Sequence, residues 1–133
     1  MTIQEAGRAL RAREVSSREL TAACLERIEK GNGRLNAFLT VTAEAALAAA
    51  EAADRELASG QDRGALHGIP IALKDVFCTK GVRTTCGSLL YKDYVPGYDA
   101  AVAERFAAAG AVMVGKTHMH ELAYGVTSNN PHF

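Results

Sequence analysis

The sequence predicts an α/β fold in which two parallel strands are joined by a crossover helix. Two short apolar runs, Ile69–Leu73 and Ala111–Val114, are bounded by glycines and are too short for buried helices, so they are typical of buried strands. Between them, the segment 99–109 places Val102 and Phe106 on one face of a helix. The order of strand, helix and strand favours parallel pairing with a right-handed connection.

The first part of the chain is predicted to be helical. Residues 2–13 carry an apolar stripe at helical spacing. Ser16 is followed three residues later by Glu19, which is the pattern of a capping box. This pattern predicts a second helix over about 17–30. We expect Gly31-Asn32-Gly33 to end that helix, because glycine and asparagine are frequent at helix ends.

A strand and a third helix are predicted next. The stretch LNAFLTV at 35–41 has roughly alternating apolar residues and predicts a short strand. Thr42 is expected to cap an alanine-rich helix over 43–59, and Gly60 is placed to end it. Alanine has the highest helix propensity, so this helix is predicted even though its apolar stripe is weak.

The later connections are predicted from turn and cap residues. Residues 88–98 show no clear period and predict a loop with some local helix. Asp99 is expected to cap a helix over about 100–109, which Gly110 ends. The second apolar run is expected to close at Gly115-Lys116-Thr117.

Composition excludes several classes of function. The chain has 133 residues, enough for one domain with a core, and its 15 basic and 15 acidic residues cancel. No electrostatic footprint for nucleic acid or an anionic membrane is present. No apolar run approaches the length of a membrane span, and the N-terminal residues lack the apolar centre of a secretory signal. The three cysteines, at 24, 78 and 86, show no metal-site spacing, so we expect reduced thiols and a cytoplasmic location.

The strongest candidate for chemistry is the lysine that ends the first apolar run. Pro70 restricts this run to the start or the edge of a sheet, because proline donates no ladder hydrogen bond. The run stops abruptly on Lys74 and Asp75. Burying an ammonium group is costly unless it is paired or neutralised, and a lysine kept neutral by desolvation can act as a general base. Most lysines at strand ends are simply solvated, so position alone favours an ordinary surface residue.

Three words of the sequence closely resemble the amidase signature family. They read LHGIPIALKDVFCTKGVRTTCGS, AGAVMVGKT and MHELAYGVTSNNPHF, in the family's usual order, and the match extends from Val15 to the last residue. Members of this family hydrolyse or transfer amides with a Ser–cis-Ser–Lys triad. The resemblance assigns the triad lysine to Lys74, and it implies a mixed sheet flanked by helices, a small-molecule amide substrate and no cofactor.

The resemblance also indicates a substrate-binding segment and the extent of the domain. Ala123, Tyr124 and Gly125 are expected to lie beside the acyl-binding site, although such polar, glycine-punctuated stretches are also common as plain turns. The family's glycine- and serine-rich word, which carries both triad serines, is not found among these residues. We therefore expect the N-terminal portion of a single amidase domain, apparently truncated, with a helical region over about 1–60 and the start of an α/β core over about 61–133.

Two further motifs favour other chemistry but are rejected. His118, His120 and His132 suggest a metal site, but no second carboxylate or cysteine stands at ligand spacing, so no metal is predicted. Family members commonly have asparagine where His118 stands. Gly115-Lys116-Thr117 resembles the end of a phosphate-binding loop, which needs an open cradle of backbone N–H groups. The residues before it are predicted to form a strand.

Three functions are left open by the sequence. The first is a serine amidase that hydrolyses a carbon–nitrogen amide bond, with the catalytic lysine supplied by this chain. The second is the A subunit of a tRNA-dependent amidotransferase, although the word from His120 to Val126 differs from that subunit's usual Asp-Glu-Phe-Ala-Met-Gly-Ser. The third is an inactive segment or binding module. No membrane contact is expected. Direct contact with nucleic acid is not expected unless the chain belongs to an amidotransferase, and a homodimer is left open.

Overall fold

The computed structural model describes residues 1–133 and contains four α-helices and a three-stranded sheet. In chain order the elements are α1 (Ile3–Ala12), α2 (Ser17–Leu35), β1 (Phe38–Val41), α3 (Ala43–Ala58), β2 (Pro70–Lys74), α4 (Ala101–Ala108) and β3 (Val112–Thr117). Single turns of 3-10 helix lie at Leu89–Tyr91 and Glu121–Ala123. None of the four α-helices combines the length and the apolar composition that a membrane span requires.

The sheet is mixed, and β3 is its central strand. The strand order is β1-β3-β2, with β2 parallel and β1 antiparallel to β3. The chain passes from β2 to β3 through α4, because two parallel strands need a long crossover connection. The predicted α/β class and the parallel pairing of the two apolar runs are confirmed.

The core is small and is built largely on alanine. Ala46 and Ala50 of α3 pack against Val112 and Val114 of β3. Because alanine carries only a methyl group, this face of α3 can lie close to the central strand, and all four side chains are buried. A second apolar cluster joins α1 to the chain just before β2 and consists of Ala6, Leu10 and Ile69.

The second helix is longer than predicted, and the strand after it starts later. α2 continues through both glycines to Leu35, and β1 begins only at Phe38. A helical glycine costs about 1 kcal/mol relative to alanine, which is too little to end a helix that is otherwise well packed. The Asn32 side chain accepts a hydrogen bond from the Phe38 backbone N–H and donates one to the Phe38 carbonyl, so it joins the helix to the strand. Asn36 ends the helix in the left-handed conformation.

Two of the three predicted helix caps differ from expectation. The capping box of Ser16 and Glu19 is present with both of its hydrogen bonds. Thr42 occupies the N-cap position of α3, but its hydroxyl donates instead to the carbonyl of Met113 at 2.9 Å, which fastens the helix start to β3. The prediction for Asp99 is wrong. It lies before the true N-cap residue, and its carboxylate accepts a hydrogen bond from the backbone N–H of Lys80.

The two apolar runs differ in burial. β3 is mostly buried and extends through Gly115-Lys116-Thr117, beyond the predicted end of the strand. The expectation that β2 is buried is wrong, because only Leu73 within it is buried. β2 is an edge strand that begins with Pro70, as the missing N–H of proline requires, and one of its faces is open.

Candidate active site

Lys74 is the last residue of β2 and projects to the open side of the sheet. Side chains alternate between the two faces of a strand. Ala72 and Lys74 are exposed, whereas Leu73 and Asp75 are buried. The predicted base therefore lies at the carboxyl end of an edge strand, where it is accessible from outside the chain. Its neighbour across the sheet is Thr117.

On the opposite face, a buried lysine and a buried aspartate form an ion pair. Lys116 and Asp75 are both fully inaccessible to solvent, with 3.4 Å between Nζ and Oδ1. The Lys116 Nζ also donates hydrogen bonds to the Phe77 carbonyl at 2.8 Å and to the Thr84 hydroxyl at 2.7 Å. Two hydrogen bonds and one ion pair thus surround the ammonium group of Lys116. Burial lowers the pKa of Lys116 below its ordinary value, and the Asp75 carboxylate opposes that shift.

Asp75 connects this pair to the loop that follows. Its Oδ2 accepts hydrogen bonds from the Thr85 backbone N–H at 2.8 Å and from the Thr85 hydroxyl at 2.6 Å. Its backbone N–H donates to the carbonyl of Thr117, and its carbonyl accepts from the N–H of Cys86, both at 3.1 Å. Oδ1 has no hydrogen-bond partner, since the contact with Lys116 lacks hydrogen-bond geometry. The residue next to Lys74 is thus held through both its backbone and its side chain.

The segment predicted to bind substrate lies at the end of the same hydrogen-bonded chain. The N–H of Leu122 donates to the Cys86 carbonyl at 2.8 Å. Leu122 and Ala123 have positive φ angles of 50° and 60°, a conformation that costs energy for residues other than glycine. Tyr124 is 89% exposed, and a Cβ atom at Gly125 would collide with the ring of His120. Ala123, Tyr124 and Gly125 are therefore the exposed part of a turn, called the strained turn below, whose strain lies at Leu122 and Ala123.

Three polar side chains, Ser88, Glu121 and His132, are in contact beside this turn. The buried Ser88 hydroxyl donates to Oε1 of Glu121 at 2.8 Å, and Nε2 of His132 lies 3.2 Å from Oε2 of the same carboxylate. The Ser88 hydrogen bond, followed by that of His132, lowers the pKa of Glu121. The carboxylate stands between the hydroxyl and the imidazole, so the order of a nucleophilic triad, in which the imidazole is central, is not present.

The remaining motifs occupy separate positions. His118 Nε2 lies 3.2 Å from the Phe133 carbonyl, His120 packs under Gly125, and His132 pairs with Glu121. No group of three or more histidine, cysteine or acidic side chains converges in a way that could hold a metal. The Gly-Lys-Thr word is part of β3 and is paired on both sides, so its backbone groups are not an open phosphate cradle.

Sequence reasoning missed the buried network. The residues that it did not identify as functional candidates are Asp75, Thr84, Thr85, Lys116 and Asn130. A signal for one of them was present, because Lys116 follows an apolar run just as Lys74 does. The partners of Lys116 could not be read, because they lie more than thirty residues away from it in the sequence.

Comparisons with protein-family models and with curated proteins both return matches over most of this chain. A family model described as Amidase matches residues 19–133. The chain is 53% identical over 129 residues to the A subunit of the glutamyl-tRNA(Gln) amidotransferase of Chromohalobacter salexigens, covering 97% of this chain and 26% of that protein. It is 54% identical over 132 residues to the protein of the same name from Methylococcus capsulatus, covering 99% of this chain and 27% of that protein. The chain thus spans little more than a quarter of the length of these curated relatives.

Solved structures have the same fold over most of this chain. The native peptide amidase from Stenotrophomonas maltophilia superposes with a TM-score of 0.86 at 36% identity, covering 91% of this chain and 25% of that one. A structure described as a vestigial protein complex that reveals the evolutionary origins of an s-triazine catabolic enzyme gives a TM-score of 0.94 at 35% identity, covering 99% of this chain and 29% of that one.

Proposed function

We propose that this chain, which belongs to the amidase family, forms the N-terminal portion of an enzyme that hydrolyses a carbon–nitrogen amide bond. Its role in that enzyme is to supply the lysine of a Ser–cis-Ser–Lys triad, at Lys74. The two serines would come from the part of the relatives' length that this chain does not span. The unpaired cysteines agree with a cytoplasmic enzyme.

The proposed reaction begins with a proton transfer toward Lys74. A serine hydroxyl attacks the amide carbonyl, and its proton passes through the second serine to the neutral amine of Lys74. The proton then leaves with the departing amine as the C–N bond breaks, and water hydrolyses the acyl ester. Backbone N–H groups aimed at the developing oxyanion would supply the largest electrostatic stabilisation.

One observation carries the proposal: Lys74 ends an edge strand on its open face, while the next residue is anchored on the other face. The backbone of Lys74 is fixed through Asp75, yet its side chain is free to meet groups that approach from outside. Covering this face with further polypeptide would remove water from the amine and favour its neutral form. That is the state a general base requires.

The strained turn is proposed to contact the substrate. Ala123, Tyr124 and Gly125 follow the first residues of the 3-10 turn and are exposed. Strained, non-glycine residues with positive φ persist where the surroundings over-determine them, and such positions cluster at functional sites. The turn is joined to Asp75 through Cys86 by two backbone hydrogen bonds, which gives it a defined position relative to Lys74.

The specific alternative is the A subunit of a tRNA-dependent amidotransferase. The observation that favours it is the identity of about half of the aligned residues with relatives that bear that name. Release of ammonia from glutamine that requires partner subunits and charged tRNA would select this alternative. Hydrolysis of simple carboxamides by the complete protein alone would select the free amidase.

The proposal is tested by substituting Lys74 in the complete protein. Lys74→Ala should lower labelling by a serine-directed fluorophosphonate, and amide turnover, by about 100-fold to 10,000-fold, the range of general acid–base catalysis. Lys74→Arg should not restore either rate, because arginine is not deprotonated in proteins. Lys80→Ala, a change to an exposed lysine in the next loop, is the matched control and should behave as wild type. Near-normal rates in either Lys74 variant would remove this residue from the mechanism.

A further inference from the structure

Lys116 is a buried cation that the proposed mechanism does not use. Its Nζ donates hydrogen bonds to Phe77 and Thr84 and forms an ion pair with Asp75, so its polar contacts lie within the protein itself. Lys116 is fully inaccessible to solvent, so it cannot touch a substrate or exchange a proton with one. Any contribution it makes to function must act through the residues that it holds.

The partners of Lys116 all belong to the segment that starts directly after Lys74. Asp75 is the next residue, and Phe77 and Thr84 lie on the loop that follows. A single ammonium group therefore closes a stretch of ten residues, 75–84, onto the central strand. Hydrogen bonds of 2.7 and 2.8 Å restrict direction as well as distance, which apolar contacts do not.

The same anchor extends to the strained turn. Asp75 fixes Thr85 through two hydrogen bonds to one carboxylate oxygen. The next residue, Cys86, links Asp75 to Leu122 through its backbone N–H and carbonyl. On the following residue, the carbonyl of Gly87 accepts a hydrogen bond from the Asn130 side chain at 2.6 Å. The loop from 85 to 87 thus connects the strand end to the turn.

The energetics argue against stability as the main role of this pair. Removing two charges from water costs several kcal/mol per ion, and a well-packed apolar pair of similar volume is often as stable. A buried ion pair can be retained because it selects one geometry, and here that geometry surrounds the backbone of Lys74.

We propose that Lys116 is a positioning residue, which fixes the backbone of Lys74 relative to the Leu122–Gly125 turn. This inference rests on the proposed role of Lys74 as the catalytic base. Without Lys116, the loop from 75 to 87 has no ionic tie to β3, and the predicted base and the predicted substrate turn lose their common anchor. A displacement of about 1 Å at a catalytic group can cost about 100-fold in rate.

The test uses the complete protein and a fluorophosphonate probe, which reports on the serine nucleophile whatever the natural substrate is. The decisive variant is Asp75→Asn/Lys116→Met, which removes both charges and leaves no buried charge unpaired. The maximal labelling rate should fall about 100-fold. The probe concentration for half-maximal rate should stay close to wild type. The Tm should fall only slightly, because the Phe77 carbonyl and the Thr84 hydroxyl lose one donor. Lys92→Met, which changes an exposed lysine, is the matched control.

The single variant Lys116→Met leaves Asp75 without a counter-charge. Its labelling rate is therefore interpreted only by comparison with that of the double variant. A double variant with the wild-type labelling rate would overturn the inference. So would a lower rate accompanied in proportion by weaker probe binding or by a large loss of Tm, since that pattern indicates a general structural defect.

Lys74→Ala, measured in parallel, separates this inference from the proposed function. If the probe does not label Lys74→Ala but labels the double variant at the wild-type rate, only the role of Lys116 is overturned. Wild-type labelling of Lys74→Ala, or a wild-type protein that the probe does not label, overturns the proposed base and this inference with it.

Discussion

The two faces of the sheet at the ends of β2 and β3 each carry one lysine, and the two lysines have opposite surroundings. Lys116 is fully buried, and its Nζ makes two hydrogen bonds and one ion pair. Lys74 is exposed at the end of the neighbouring strand. The strand register explains the difference: Lys116 lies beside Leu73, one residue before Lys74, and successive residues of a strand face opposite ways.

One short segment thus has different surroundings on the two faces of the sheet. On the buried face, Asp75 and Lys116 use their charges to hold backbone and loop. On the open face, Lys74 keeps its side chain free, because its position is already determined by its neighbour. A lysine that held the loop itself as an ammonium group would have no lone pair with which to accept a proton.

The largest expected effect is a loss of activity, and it concerns Lys74 on the open face. The 133-residue chain, expressed alone, should show neither fluorophosphonate labelling nor amide turnover, because the proposed base, Lys74, would have no nucleophile to activate. The serines that follow it are unsuited to attack: the Ser88 hydroxyl is buried and donates to Glu121, and Ser128 lies on the exposed stretch after the strained turn. The complete protein is the positive control. Stoichiometric labelling of Ser88 or Ser128 that Lys74→Ala abolishes would contradict this prediction.

The next effect concerns stability and should separate the two lysines. Lys116→Met leaves the buried Asp75 carboxylate uncompensated and should lower the free energy of unfolding by about 3–5 kcal/mol. Lys74→Met changes an exposed side chain and should stay within about 0.5 kcal/mol of wild type. Urea denaturation of both variants checks the difference. Equal losses in the two variants would show that the buried network is not what distinguishes the faces.

Sequence patterns predicted the elements more successfully than the site. The helices and strands follow from local signals, such as the capping box at Ser16 and the apolar runs of β2 and β3. Errors occurred where a residue far away in sequence decided the outcome. Asp99 does not cap α4, since its carboxylate accepts from Lys80, and α2 passes its glycines because Asn32 ties it to β1.

The position of Lys74 at the end of its strand was predictable, but the buried network around Asp75 was not. The ion pair between Asp75 and Lys116 spans two strands, and its loop partners are chosen by tertiary packing. No periodicity encodes such a contact. The assignment of Lys74 as base, and of Ala123, Tyr124 and Gly125 as substrate residues, came from resemblance and stays a prediction.

A third prediction compares the effect on stability of a glycine-to-alanine change in the sheet with that of the same change in a helix. A Cβ atom at Gly115 would lie 2.5 Å from the Thr40 carbonyl oxygen and 3.0 Å from the Phe38 ring, so Gly115→Ala should force β1 away from β3. Overpacking of this kind costs about 1–3 kcal/mol. Gly33→Ala is the matched control, because nothing lies within 4 Å of the added atom inside α2. It should raise the free energy of unfolding by up to about 1 kcal/mol. A neutral Gly115→Ala would show that β1 is not held closely.

The smallest expected effect is a change in pH dependence beside the strained turn. Hydrogen bonds from Ser88, and then from His132, hold the pKa of Glu121 below its ordinary value. The unfolded chain therefore binds this proton at a higher pH than the folded chain does. The resulting stability is fully present above the ordinary carboxylate range near 4.5 and is lost as the pH falls through the lower, folded value. Because Glu121 is partly exposed, the change is expected to be small.

Ser88→Ala removes the principal cause of that shift. The free energy of unfolding, measured in urea from neutral pH down into the acid range, should decline less steeply below about 4.5 in this variant than in wild type. Loss of the buried hydroxyl lowers stability at every pH, so the slope and not the level carries the result. Ser128→Ala, at an exposed serine, should leave both level and slope unchanged. A Ser88→Ala curve parallel to wild type would mean that this hydrogen bond does not set the ionisation of Glu121.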